Sequence, residues 1–507
     1  MRSRFSRVVK FAAVAAAVCG FAANAAGAWQ YYKAGDAGNP TTVSCITDGN
    51  WVLPATVNAT TGKITLSAGG INTKKVVAGE GVCDLRGVLF TLDGVDCRVT
   101  NLGNWHFYKY AGITEFYAEG IESLGGGMFA SCPSLRKIDI EGTATSIPNS
   151  PWDYAGFAAS CSALTNVSLR LPLTSIGTMA FFNDAALVSD IADLCSDKIR
   201  SVGKMAFMSC QNLTGHLKLI DVTSIGGQAF ENCSKLNEIT LISDALTATP
   251  GEVYGSNRGL FMGCSSATNI TMRCPNLVTV DVGTFRGLSN LNGEIRQTCP
   301  PSVSSIGKFA YFDCAKFVGN LVLTNLHSIG TMAFKGTSGI REIYISGDIA
   351  TLPDYDGTYN QSVFSNCGAT NIVFETPGLT SLGNGSFNNA AVKTITVNST
   401  NAVAVGHAKN AAGTPKFTAI TVMGPAWTQA SMDNMLLNIK AVDGAKACTI
   451  YVDPEKEWGD LFATDYTENE MANKPRKCLG VYVTAGGDRK AWVVNGVVRT
   501  GLKISFR

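Results

Sequence analysis

The chain has 507 residues, 46% hydrophobic and 16% charged, with a formal net charge of +2. That balance argues against nucleic acid as a partner, because nucleic-acid binders carry a clear basic excess. The charged fraction lies below the roughly 25% of ordinary soluble domains. With 53 glycines, it points to many turns and many short strands.

In chain order, the first feature is a basic and then apolar N-terminus. Arg2, Arg4, Arg7 and Lys10 precede the run Phe11 to Ala23, and small residues follow up to Trp29. This is the pattern of a signal peptide over residues 1–28, with an apolar run too short for a stable membrane span. The mature chain is therefore expected to be secreted or at the cell surface, with no membrane span; an uncleaved anchor is the alternative. Residues 29–120 hold strand-like stretches such as Lys63 to Leu66 and Val88 to Leu92. They predict a β-rich N-terminal cap or small domain.

Residues 121–400 repeat. Ser201-Val-Gly-Lys-Met-Ala-Phe-Met-Ser-Cys210, Ser224-Ile-Gly-Gly-Gln-Ala-Phe-Glu-Asn-Cys233 and Ser305-Ile-Gly-Lys-Phe-Ala-Tyr-Phe-Asp-Cys314 align residue for residue. Ser328 to Phe334 and Ser175 to Phe181 are further copies, and Ser123 to Phe129 and Ser381 to Phe387 are degenerate ones. Each aromatic is followed by an apolar trio, such as Leu236, Ile239 and Leu241, or Ile340, Ile343 and Ile345. The last two members alternate, as in a short strand with one buried face. The Ser-Ile-Gly and Ala-Phe steps then read as the return path, with a short helical turn. One coil cannot bury its own apolar face, whereas stacked coils can.

The repeated aromatics are Phe129, Phe157, Phe181, Phe207, Phe230, Phe261, Phe285, Tyr311, Phe334, Phe364 and Phe387, which makes 11 coils. A longer period lies above this one. Phe157 to Phe261, Phe181 to Phe285, Phe207 to Tyr311 and Phe230 to Phe334 each span 104 residues. A four-coil block has been duplicated.

The unit Ser-Ile-Gly-x-x-Ala-Phe-x-x-Cys followed by Leu-x-x-Ile-x-Leu resembles the BspA-type leucine-rich repeat family of bacterial surface proteins. The resemblance implies a repeat solenoid, a right-handed coil with a parallel β-sheet on one face. It also implies a role in surface adhesion or protein binding, and it supplies no catalytic residues. Asp184, Leu288, Thr337 and Ala390 depart from the family pattern at the cysteine position.

Three longer coils carry insertions that combine proline, an acid and tyrosine. Their candidate binding residues are Trp152, Asp153 and Tyr154; Glu252 and Tyr254; and Asp354, Tyr355, Asp356 and Tyr359. Insertions in repeat arrays map to loops, often on the binding face, and Tyr and Trp give large contact area at low entropy cost. The opposing reading is that they are solvated turns kept by duplication.

Of the 16 cysteines, Cys132, Cys210, Cys233, Cys264, Cys314 and Cys367 lie three residues after an aromatic. A fixed place in a repeat suits a buried thiol better than a disulfide framework. There is no Cys-x-x-Cys pair and the four histidines are scattered, so neither a metal site nor a cofactor is expected.

Residues 401–507 change character, with a helical reading over Gln429 to Ile439 and a strand over Cys448 to Val452. Asp453-Pro454 reads as a helix start, and strands are expected between Gly480 and Arg507 around a turn at Gly486 to Asp488. This mixed α/β C-terminal flank is a cap or an attachment segment. No hydrolase elbow, P-loop or His-Glu-x-x-His motif occurs. The sequence therefore predicts a non-enzymatic protein that binds a protein or glycan partner. A self-associating structural component and a solenoid glycosidase with paired carboxylates are the alternatives.

Overall fold

A computed structural model describes residues 29–41, 43–66, 78–150, 155–251, 257–355, 362–401 and 403–404. It also describes the strands Lys416–Phe417, Ala419–Met423, Lys440–Ala441, Ala447–Val452, Pro475–Arg476, Val481–Val483 and Arg489–Val494. The expected signal peptide, the helix over Gln429 to Ile439, the helix start at Asp453 and the turn at Gly486 to Asp488 lie outside the described residues. The chain forms two compact units, residues 1–242 and 243–507, and both are built of solenoid coils.

Unit one opens with an antiparallel meander of Gln30–Tyr32, Cys45–Thr47, Val52–Asn58 and Lys63–Leu66. Lys63–Leu66 then pairs in parallel with Val95–Asn101. Trp51 is fully buried here, and its Nε1–H donates to Val82 O at 2.7 Å. A parallel ladder of longer strands runs through Gly81–Asp84, Ile113–Ile121, Lys137–Gly142 and Asn166–Arg170. It resumes with His216–Ile220 beside Glu238–Ile242.

A second parallel ladder consists of two-residue strands, Ser146–Ile147, Ser175–Ile176, Ser201–Val202 and Ser224–Ile225. The Ser-Ile step is thus a strand rather than a turn, because its β-branched residue is buried and packs on its copies. The serines pair across coils, with Ser224 Oγ donating to Ser201 Oγ at 3.0 Å. The return path is a stack of turns bonded coil to coil, as in Phe181 N–H to Ala206 O and Phe207 N–H to Ala229 O, both 2.8 Å.

Unit two repeats the plan. Phe317–Thr324, Ile340–Ser346, Asn371–Glu375 and Thr394–Asn398 form a parallel ladder. It continues through Ala419–Met423, Ala447–Val452 and Arg489–Val494, and Val481–Val483 pairs antiparallel to the last of these. Thr279–Val280, Ser305–Ile306 and Ser328–Ile329 form the short ladder.

Three sequence features follow from stacking at one strand spacing. The glycine after Ser-Ile marks a close approach. A Cβ at Gly203 would sit 2.3 Å from Thr178 N, and one at Gly330 would sit 2.3 Å from Lys308 N, in the adjacent coil. The residue before the cysteine position is always left-handed. Ser131, Ser160, Asn183, Ser209 and Asn232 have positive φ in unit one, as do Asp313, Asn366 and Asn389 in unit two. This explains the run of Ser, Asn, Asp and Gly there, since these tolerate that region best. The aromatics form a column in each unit. Phe181 to Phe207 and Phe207 to Phe230 stack at 5.4 and 5.5 Å, and Phe285 to Tyr311 and Tyr311 to Phe334 at 5.1 and 5.0 Å. Phe107 adds a rung at 5.6 Å from Phe129.

The thirteen described cysteines are buried thiols outside any disulfide. Cys132, Cys161, Cys210, Cys233 and Cys314 each donate an S–H to the carbonyl of the preceding coil's aromatic, at 2.9 to 3.1 Å. Burial pushes the thiols of Cys161, Cys210 and Cys314 up, and that of Cys195 to about 12, which keeps these groups protonated. Asp184 takes the cysteine position in one coil and is fully buried. Its Oδ1 accepts the Cys161 N–H at 2.7 Å, and its Oδ2 has no hydrogen-bond partner among the described residues. Burial holds this carboxyl well above the usual carboxylate range, so its ionisation favours the unfolded chain.

Two measurements check this core. Phe207→Ala should cost about 3–5 kcal/mol in denaturant unfolding. Asp184→Asn should raise Tm by about 2 °C or more at pH 7. The gain should vanish below about pH 4, where the unfolded chain also holds its proton.

Candidate binding surface

The three insertions leave the fold at equivalent points, directly after the short-strand ladder. The first follows Ser146–Ile147, the second follows the bridge of Ala248 to Thr279, and the third follows the bridge of Thr351 to Ser381. A proline stands at each exit, Pro148, Pro250 and Pro353, where it ends the ladder by withholding an N–H. Each foot is tied to the next coil. Asn149 Oδ1 accepts the Thr178 N–H at 2.8 Å, and Thr249 Oγ1 accepts the Asp281 N–H at 2.7 Å. Asp354 Oδ1 accepts the Asn384 N–H at 2.7 Å, and Tyr355 N–H donates to Asn384 O at 2.9 Å. Ser362 Oγ donates to Pro353 O at 2.6 Å and closes the third loop at its base.

Of the nine candidate residues, the structure places Asp354 and Tyr355 together at the foot of the third loop. Asp354 is exposed and Tyr355 half-buried. Trp152, Asp153, Tyr154, Glu252, Tyr254, Asp356 and Tyr359 lie outside the described residues.

The outer faces of the long strands were not singled out from the sequence, and the two units differ there. In unit one the face is charged. Arg86 and Lys137 lie over Tyr117 at 4.3 and 4.8 Å from its ring centre. Arg170 reaches Asp139 at 2.7 Å and Glu141 at 3.0 Å. The hydrogen bond from Arg86 holds Asp84 below its ordinary range. In unit two the face is nearly neutral. The register aligns Val322, Tyr344, Val373 and Thr396 across four strands, with Val322 42% and Tyr344 37% exposed. Amides and acids flank this row, as in Asn320 Nδ2 to Glu342 Oε2 at 2.9 Å. The signal for these residues was the position between the last two members of each apolar trio, which points outward by strand alternation.

His216 meets Glu238 at 3.3 Å and Thr240 Oγ1 at 2.8 Å, and His327 meets Asp348 at 3.6 Å and Asn325 O at 2.6 Å. Among the described residues, no group of three or more His, Cys, Asp or Glu is placed to hold a metal ion. No described helix is long and apolar enough to cross a membrane. The surface offers aromatic, amide and charged groups on a rigid ladder, an arrangement suited to recognition.

The chain is similar in structure to a leucine-rich repeat protein of Bacteroides ovatus, at 16% identity and a TM-score of 0.43, covering 73% of this chain and 93% of that one. A leucine rich cell surface protein of Faecalibacterium prausnitzii matches at 16% identity and a TM-score of 0.31, covering 79% and 95%. The pneumococcal vaccine antigen PcpA matches at 14% identity and 0.34, covering 85% and 95%. No curated protein matches by sequence. The profile of the BspA type leucine rich repeat region matches residues 92–157, 154–254, 256–356 and 350–408, in 6 copies. That is more than half of the chain, and it agrees with the coil-by-coil ladders above. The chain belongs to the BspA-type leucine-rich repeat family.

Proposed function

We propose that this chain is an exported, non-enzymatic scaffold, secreted or held at the cell surface. In this reading it binds a protein or glycan partner in adhesion, using its Tyr/acid loops. The observation that supports this most is the shared anchoring of the three loops. Each is fixed at its foot by a hydrogen bond to the next coil, and each combines a proline, an acid and a tyrosine. Anchored feet lower the entropy cost of presenting tyrosines to a partner. The signal-peptide pattern at residues 1–28 supports export, and leucine-rich repeat families generally mediate protein interactions.

The test is binding of the purified chain to an array of matrix proteins, glycans and whole cells, beside a triple variant Tyr154→Ala, Tyr254→Ala and Tyr355→Ala. Loss of a typical aromatic contact costs about 1–2 kcal/mol, so the variant should bind at least tenfold more weakly with unchanged thermal unfolding. Unchanged binding moves the site to the strand faces. No binding, together with concentration-dependent assembly, replaces this reading with a self-associating structural component.

A further inference from the structure

The 104-residue period leaves a second mark, because once in each unit the long-strand ladder skips a rung. In unit one, the coil after Asn166–Arg170 enters the ladder. Val188 N–H donates to Thr165 O at 3.0 Å, and Asp190 bridges Thr214. It then leaves as the short helix Ile191–Leu194. In unit two, Asn292 N–H donates to Thr268 O at 3.0 Å, and Gly293–Glu294 pairs with the start of Phe317–Thr324. That coil then leaves as the 3₁₀ turn Ile295–Gln297. Ile191 and Ile295 are one period apart.

The missing rung leaves backbone groups unpaired among the described residues. Asn166–Arg170 pairs with Lys137–Gly142 alone. Asn166 N–H bonds Arg136 O, so residues 166, 168 and 170 face that neighbour. The N–H and C=O groups of Val167 and Leu169 therefore point into the gap, and no hydrogen bond reaches them among the described residues. In unit two, Ile270 and Met272 of the strand Asn269–Arg273 stand in the same positions. Exposure at both edges is slight, with Leu169 and Met272 each 8%, Val167 3% and Ile270 1% exposed, against 0% for Ile140, Leu219 and Leu323. An open cleft of about 370 Å³ runs along the Asn166 strand, lined also by Val188, Ser189, Asp190 and Asp193.

Two N–H and two C=O groups repeating about every 6.6 Å along an edge match the backbone of an extended peptide. Unpaired strand edges are templates for strand addition. The charge of the cleft selects among such peptides. Arg170 is already bonded to Asp139 and Glu141, and Asp190 accepts the Ala192 N–H. Asp193 is exposed, and its carboxylate has no partner among the described residues.

We propose that the free edge of the Asn166 strand binds an extended peptide segment of another protein by strand addition, with a lysine or arginine of that peptide against Asp193. The site is separate from the Tyr/acid loops.

The experiment measures fluorescence polarisation of a labelled Thr-Val-Lys-Val-Thr-Val peptide with the full chain. Parallel probes are the same peptide with Glu for Lys and a version N-methylated at alternate residues. The lysine peptide should bind saturably, and N-methylation should weaken it at least tenfold by removing the edge hydrogen bonds. Asp193→Lys should weaken it about fivefold and favour the glutamate peptide instead. Binding should slow amide exchange at Val167 and Leu169, and the triple tyrosine variant should bind the peptide as the unaltered chain does. Equal binding of the N-methylated peptide, indifference to Asp193→Lys, or no binding at millimolar peptide would overturn the proposal. So would dimerisation of the chain that Asp193→Lys abolishes without peptide uptake, which would assign the edge to a second copy.

Discussion

Everything in this protein depends on one coil packing against the next at the spacing of a parallel sheet. A single coil has a strand of five or so residues, a two-residue strand and a pair of turns, and none of these is stable alone. The adjacent coil supplies the backbone partners for all of them. The same neighbour buries the aromatic, whose ring meets its copy at 5.0 to 5.5 Å in the regular stretches.

That spacing imposes the composition. The glycine after the short strand is required because the neighbouring backbone occupies the space of a Cβ. The small polar residue before the cysteine is required because the turn there is left-handed. The cysteine fits because its thiol is small, apolar and still able to donate to a buried carbonyl. Sixteen cysteines in a chain with an export pattern suggest disulfides at first sight. Five of the described ones donate hydrogen bonds to the carbonyl of the preceding coil's aromatic in the core. Asp184 enters the same column with its carboxyl held above the usual carboxylate range by burial, so its ionisation favours the unfolded chain.

With the core so constrained, variation falls on the surfaces. The outward middle residue of each long strand is free to change, and it gives one unit a charged face around Tyr117 and the other a neutral row around Tyr344. The loops vary more, leaving always after the short strand, where a proline ends the ladder without disturbing the coils on either side. The rung lost to the helix at Ile191 and to the turn at Ile295 is the third variation. It leaves the N–H and C=O groups of Val167 and Leu169 without hydrogen bonds among the described residues.

By itself the sequence determined the repeat, the coil positions of the aromatics and cysteines, the 104-residue period and the places of the insertions. These are local patterns with a fixed period, and period is what a linear reading detects. Only the tertiary structure decided that Ser-Ile is a second strand ladder, because two residues are too short to show alternation. It alone extended the parallel stacking before residue 121 and after residue 400, where the Ser-Ile-Gly signature fades but backbone pairing continues. It alone exposed the edge at Val167 and Leu169, because an unmade hydrogen bond depends on the path of the following coil and leaves no mark on the residues that lack it.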